Sequence, residues 1–201
     1  GAKPFRVRDA TWYSKFVSQA VPFPGFANTL TVRLQPSINL YGSAGSAITI
    51  RSMSGAVVAD REVQLTVLKN GEILQGPLFC LAGNETVSTG IWNFALRDLT
   101  LTLCAGSVFE AVSLYDLRFH VTNPSIPQSS ASISVQASGT VDFDSEALER
   151  PSAVDAATAS LFGVAGGADA LFVILPAFET ARMAQNDFIS GKQNLITVTI
   201  V

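Results

Sequence analysis

Apolar residues recur at every second position over most of this chain, and a sustained 3.6-residue rhythm is absent. Strict alternation is the mark of half-buried strands. Leu30, Val32 and Leu34 fall on one face of a first clear strand, with Thr29, Thr31 and Arg33 on the other, and Pro36 ends it. Ala47–Ile50 forms the next strand, entered through Gly42-Ser-Ala-Gly45, and Val63–Leu68 follows. After it, Lys69-Asn70-Gly71-Glu72 reads as a type I′ hairpin turn, because both central positions need positive φ. Ile73-Leu74 and Leu78-Phe79-Cys80 are expected to return to the core. Trp92, Phe94 and Leu96 alternate inward, as do Leu99, Leu101 and Leu103. From Val112 to Val121 the period puts Leu117, Phe119 and Val121 inside and Arg118 and His120 outside, until Asn123-Pro124 stops it. Ile133 and Val135, then Val141 and Phe143, supply the last two strands. Short strands at sandwich intervals, separated by Gly, Pro, Asn and Ser turns, predict an all-β antiparallel β-sandwich.

The chain ends by rewriting its opening. Asn28-Thr-Leu-Thr-Val-Arg-Leu34 returns as Asn194-Leu-Ile-Thr-Val-Thr-Ile200, at an offset of 194 − 28 = 166 positions. At that offset Gln19, Gly25, Asn28, Thr31 and Val32 fall on Gln185, Gly191, Asn194, Thr197 and Val198. Phe5, Val7 and Trp12 fall on Leu171, Val173 and Phe178, so the apolar register holds too. A fixed period marks a repeat array. The competing reading is two ordinary strands that share Thr-Val, a common sheet pair. The repeat reading divides the chain into a sandwich unit over 1–144, a linker over 145–170 and the start of a following unit over 171–201. The linker is rich in Ala, Ser and Gly, carries Pro151, and has a short helix expected from Ser152 through Ala159, with Gly163–Gly167 as a flexible joint.

Composition sharpens this. Charged residues are 14% and apolar residues 48%, and mean hydropathy is +0.34, which is high for a surface facing only water. The longest apolar run, Ala170–Leu175, is strand-sized, and no stretch suits a membrane helix. Surface buried against neighbouring copies is the expectation. Net charge is −3 with 13 scattered basic residues, so no basic stripe points to nucleic acid. No secretory leader opens the chain, and Gly1-Ala-Lys-Pro4 reads as a mature or excised boundary. Cys80 and Cys104 bracket a sequon, Asn84-Glu-Thr86, whereas Asn123-Pro-Ser125 is disqualified by its proline. A paired cysteine count with a sequon inside the loop favours a disulfide, N-glycosylation at Asn84 and a secreted setting. Two buried free thiols are the alternative.

Candidate chemistry is sparse. His120 stands on the polar side of a strand without a G-x-S-x-G or comparable signature, and a surface histidine is the better reading. One histidine and two cysteines expected to pair with each other leave zinc short of ligands. Asp142 and Asp144 share a face near Glu146, where a solvated edge outweighs a weak Ca²⁺ site. No catalytic, cofactor or metal residue is assigned.

The motifs Asn28-Thr-Leu-Thr-Val-x-Leu34, Ile48-Thr-Ile50 with Ser54-Gly55, and Phe119-x-Val-Thr-Asn-Pro124-x-x-x-Gln128 leading into Ile133-Ser-Val135 carry a resemblance. They resemble tandem immunoglobulin-like β-sandwich repeats of large secreted microalgal and protist proteins, including the mastigoneme (flagellar-hair) type. The resemblance implies an extracellular structural repeat and no catalytic residue. Together these readings give a non-enzymatic unit of a filament or stalk at the cell surface, partnered by its own kind. The alternative is an adhesion or carbohydrate-binding module with glycans as partners, using loops 81–90 or 124–130 and the aromatics Trp12, Tyr13, Trp92 and Tyr115.

Overall fold

The computed structural model describes residues 10–81, 86–155, 157, 159–177 and 180–200. The first half of the chain contributes β1 (Trp12–Gln19), β2 (Ala27–Pro36), β3 (Leu40–Tyr41), β4 (Ala47–Arg51), β5 (Glu62–Lys69), β6 (Glu72–Ile73) and β7 (Thr89–Asn93). Then follow β8 (Asp98–Thr102), β9 (Val108–Phe109), β10 (Tyr115–Thr122), β11 (Ser134–Ser138) and β12 (Phe143–Ala147). A single-turn helix, α1 (Pro151–Val154), precedes β13 (Ala181–Gln185) and β14 (Ile196–Ile200).

The fold is an all-β, antiparallel β-sandwich. One layer runs β1-β2-β10-β5-β6 and the other β5-β7-β8-β4-β11-β12. β5 belongs to both: Leu65–Lys69 pair with β10, while Glu62–Gln64 pair with β7. The opposite seam is closed by Glu149, whose N–H donates to the Lys15 carbonyl while its own carbonyl accepts from Val17, each at 3.0 Å. Lys15 Nζ reaches Glu146 at 2.5 Å across the same seam. Edge strands invite uncontrolled pairing, and here both lateral seams are taken up within the chain.

Between the layers lie Leu30, Val32, Leu34, Ile48, Ile50, Leu99, Leu101, Leu117, Phe119 and Val135, all essentially inaccessible. These are the alternating positions the pattern put inside. The Phe109 and Tyr115 rings stack at 3.9 Å, and Trp12 packs on Phe143 at 4.6 Å. Asn70 and Gly71 have φ of 52° and 91°, the positive pair a type I′ turn requires.

Several expected core positions lie outside instead. Phe94 and Leu96 are exposed because the β7–β8 chain turns immediately after Asn93, whose carboxamide oxygen caps the N–H groups of Ala95 and Leu96. Val112 sits at φ 63° in a loop ahead of β10, and Ile73 and Val141 are also exposed. For Phe94 and Leu96 the alternation runs on past the point where the backbone turns, whereas Ile73 sits on the outer face of β6, and Val112 and Val141 lie in the loops that lead into β10 and β12.

The segment expected as a linker is packed. β12 crosses the boundary drawn at 144, and Ala159, Ala168, Ala170, Leu171 and Val173 are buried. Val173 pairs with Gln128, and the Ala168 carbonyl accepts from Gln19 N–H at 3.0 Å. Small side chains let this segment lie close along β1, so it covers an edge without showing any period. The expected helix amounts to the one turn of α1.

Candidate functional site: a hairpin present twice

The β1–β2 turn is held by three buried carboxamides. Asn28 Oδ1 accepts from Ala20 N–H at 3.1 Å and Val21 N–H at 3.0 Å. Its Nδ2 donates to Gln19 Oε1 at 3.0 Å and to Asn123 Oδ1 at 2.8 Å. Gln19 Oε1 also accepts from Leu171 N–H, and its Nε2 donates to the carbonyls of Gly167 and Phe172. Asn123 Nδ2 donates to the Val21 and Phe23 carbonyls. Each carboxamide has two donor hydrogens and an oxygen with two lone pairs, so Asn28 and Gln19 are fully satisfied. That is the condition under which burying such groups stabilises rather than costs.

The C-terminal hairpin carries the same lock. Asn194 Nδ2 donates to Gln185 Oε1 at 3.0 Å, and Asn194 Oδ1 accepts from Asp187 N–H at 3.2 Å. Asn186 N–H donates to the Leu195 carbonyl, as Ala20 does to that of Thr29. Gly25 and Gly191 both adopt positive φ, 69° and 82°. The ladders coincide as well: Gln19 faces Leu30 and Gln185 faces Ile196, while Val17 faces Val32 and Met183 faces Val198. Thr31 and Thr197 occupy matching positions opposite Ser18 and Ala184. Each pair differs by the 166 positions read from the sequence.

Their surroundings differ. In the first hairpin Val17, Leu30, Val32 and Leu34 are buried, and β10 pairs with β2 from Leu34↔Tyr115 to Ala27↔Thr122. In the second, every residue of β13 and β14 is exposed. Of the upstream correspondences, Phe5, Val7 and Phe178 lie outside the described residues. Leu171 and Val173 pack against the sandwich.

The remaining motif residues converge on the first hairpin. Gln128 Nε2 donates to the Ser54 and Leu171 carbonyls, and it lies over Gly55, where a Cβ would stand 2.3 Å from Gln128 Oε1. Ser54-Gly55 and Gln128 therefore form one seam between the sandwich and segment 171–173, while Asn123 holds the β1–β2 turn. In the sequence Asn123 reads as a strand stop, a disqualified sequon and a motif position, none of which points to a buried bond with Asn28. The signal for its role was a carboxamide at the end of an apolar strand, where turn chemistry masks it.

Cys80 and Cys104 form a disulfide, joining the segment after Phe79 to the end of β8. Asn84 lies outside the described residues. His120 Nδ1 sits 3.1 Å from the Thr29 hydroxyl on the exposed face of β10. With Gln64, Leu65, Thr66, Val87 and Arg118 these two line an open cleft of about 390 Å³. Asp142 and Asp144 are exposed, while Glu146 pairs with Lys15, and among the described residues no cluster suits a metal. Of the four aromatics considered for ligand binding, Trp12, Trp92 and Tyr115 are core and only Tyr13 is exposed. The Arg33 guanidinium is raised above its ordinary pKa by its paired hydrogen bonds to Asp116, and burial raises the Tyr115 phenol.

No family model matches the chain, and no curated protein matches it. Among solved structures it is similar to the major pilin SpaA of Corynebacterium diphtheriae, at 9% identity and TM-score 0.42, over 67% of this chain and 34% of the pilin. It is also similar to ACE19, the collagen binding subdomain of the Enterococcus faecalis surface protein ACE, at 10% identity and TM-score 0.35, over 70% of this chain and 94% of that one. The chain thus spans about a third of the length of the pilin it matches.

Proposed function

We propose that this chain is a structural repeat of an extracellular filament or stalk, assembling head to tail through sheet and apolar contacts and performing no catalysis. The observation that carries the reading is the second hairpin, which repeats the register, turn glycine and Gln–Asn bond of the first at a fixed offset. Repeat proteins place their stability in contacts between neighbouring units, and units without neighbours expose apolar surface. Met183, Ile196, Val198 and Ile200 match that expectation. The disulfide and the Asn84 sequon support a secreted, cell-surface setting and a glycoprotein. Among filaments, the motifs around Asn28, Gly55 and Gln128 favour the flagellar-hair type. Antibodies against residues 10–175 should label fibres or stalks outside the source cell at a regular axial spacing. Label confined to the cell interior would overturn the reading.

An adhesion role is the second reading, favoured by the polar cleft of Thr29, Gln64, Thr66, Arg118 and His120. Saturable binding on a glycan array, lost in Arg118→Ala, would promote it over the filament.

A further inference from the structure

The exposed strand β14 has a counterpart whose neighbour is known. β2 is flanked by β1 on one side and by β10 on the other, and Asn123, directly after β10, accepts the second Nδ2 hydrogen of Asn28. β14 has the β1-type neighbour, β13, and the Asn194–Gln185 bond. Among the described residues its other edge has no strand partner, and Asn194 is exposed. Val32 is wholly buried where its counterpart Val198 is 57% exposed, and Val17 is 1% exposed against 76% for Met183.

We propose that β14 is a docking edge for a strand of the Tyr115–Asn123 type, supplied by a unit of this same kind whose β2 position is vacant, since β10 of a complete unit is already paired on both sides. The inference rests on the repeat reading and names what completes the second hairpin. The register follows from the first copy: Val198 opposite Leu117, Thr197 opposite Arg118 and Ile196 opposite Phe119, with the incoming Asn123 oxygen on Asn194 Nδ2. Strand addition draws its affinity from main-chain bonds and its selectivity from alternate side chains. Here the carboxamide adds a check at one end. The competing occupant is β14 of a second copy, since Ile196-Thr-Val-Thr-Ile200 reads the same in both directions and can pair antiparallel with itself. That pairing leaves Asn194 without a role, whereas a β10-type strand reproduces the bond seen at Asn28.

The test titrates the intact, isotope-labelled chain with a synthetic peptide of residues 114–124, read by amide NMR. Saturable shifts confined to residues 194–200 and the Asn194 carboxamide are expected, with none from a scrambled peptide. The same peptide carrying Asn123→Ala should bind about fivefold more weakly, as should the native peptide to the Asn194→Ala chain, from loss of one hydrogen bond. No shift at millimolar peptide, shifts located elsewhere, or peptide-independent dimerisation through β14 would each overturn the proposal. The surface label on source cells does not depend on this titration, so the docking and the filament reading fail separately.

Discussion

Asn28 and Asn194 are the same residue in two environments, and that makes them a controlled comparison. Asn28→Ala strands the buried Asn123 acceptor and the Val21 N–H, while Gln19 Oε1 keeps Leu171 N–H and Ala20 N–H keeps the Thr29 carbonyl, and unsatisfied buried groups are expensive. We expect a loss of about 2–4 kcal/mol in urea denaturation. Asn194→Ala, on an exposed hairpin, should stay within about 0.5 kcal/mol of the parent. Equal effects would mean the two hairpins share an environment after all. Tyr115 offers a pH test. Its phenol is buried and accepts from Glu110 N–H at 3.0 Å, and burial raises its pKa. A raised folded-state value means the folded chain holds the proton longer than the unfolded one. The associated stability is therefore full below the ordinary phenol value of about 10 and is lost as pH rises through the folded-state value. Tyr115→Phe should flatten the alkaline fall in melting temperature; an unchanged fall would place its cause elsewhere. The identities of Gln19, Gly25 and Asn28 were readable as a recurring set. That Asn123 and Gln128 complete them was not, since one is 95 positions from Asn28 and the other 43 from Leu171.

Among elements, the segment after β12 behaves differently from the hairpin beyond it. Leu171 and Val173 are buried, and Gln19 and Gln128 spend their carboxamides on this segment. Deleting 171–201 should cost about 3–5 kcal/mol, through lost apolar burial and unpaired amides. Deleting 176–201 removes a stretch in which no described residue is buried, and should leave the melting temperature of the sandwich within a degree or two, as for surface changes of about 0.5 kcal/mol. The disulfide closes a loop of 24 positions. Its removal in Cys80→Ser/Cys104→Ser should lower stability by about 3 kcal/mol on the chain-entropy account, seen as an earlier urea midpoint. An unmoved midpoint would show that the loop is already constrained by its hydrogen bonds to β8. Strand existence was legible along most of the chain because alternation is a local signal. Strand ends were less so: Phe94 and Leu96 keep the rhythm of Trp92 but lie in a turn that Asn93 caps.

At the scale of the molecule, the excess of apolar residues now has an address. Phe188, Ile189, Leu195, Ile196, Val198 and Ile200 are all more than half exposed, and they fall within the last 14 residues. The seam between β1 and β12 is closed by Glu149, whereas among the described residues β13 and β14 pair only with each other.

Alternation, turn chemistry and the 166-position echo are written in consecutive residues, so the sequence alone determined an all-β sandwich, the Asn70-Gly71 turn, the inward faces of β2, β8 and β10, and the correspondence of Asn28 with Asn194. Tertiary structure decided which strands sit side by side, that β5 serves both layers, that Glu149 seals β1, and that the Ala/Gly-rich stretch is packed wall rather than tether. The physical reason is range. A residue's preference for strand or turn depends on its immediate neighbours, whereas a buried carboxamide or a covered edge depends on partners that only the folded chain brings within 3 Å.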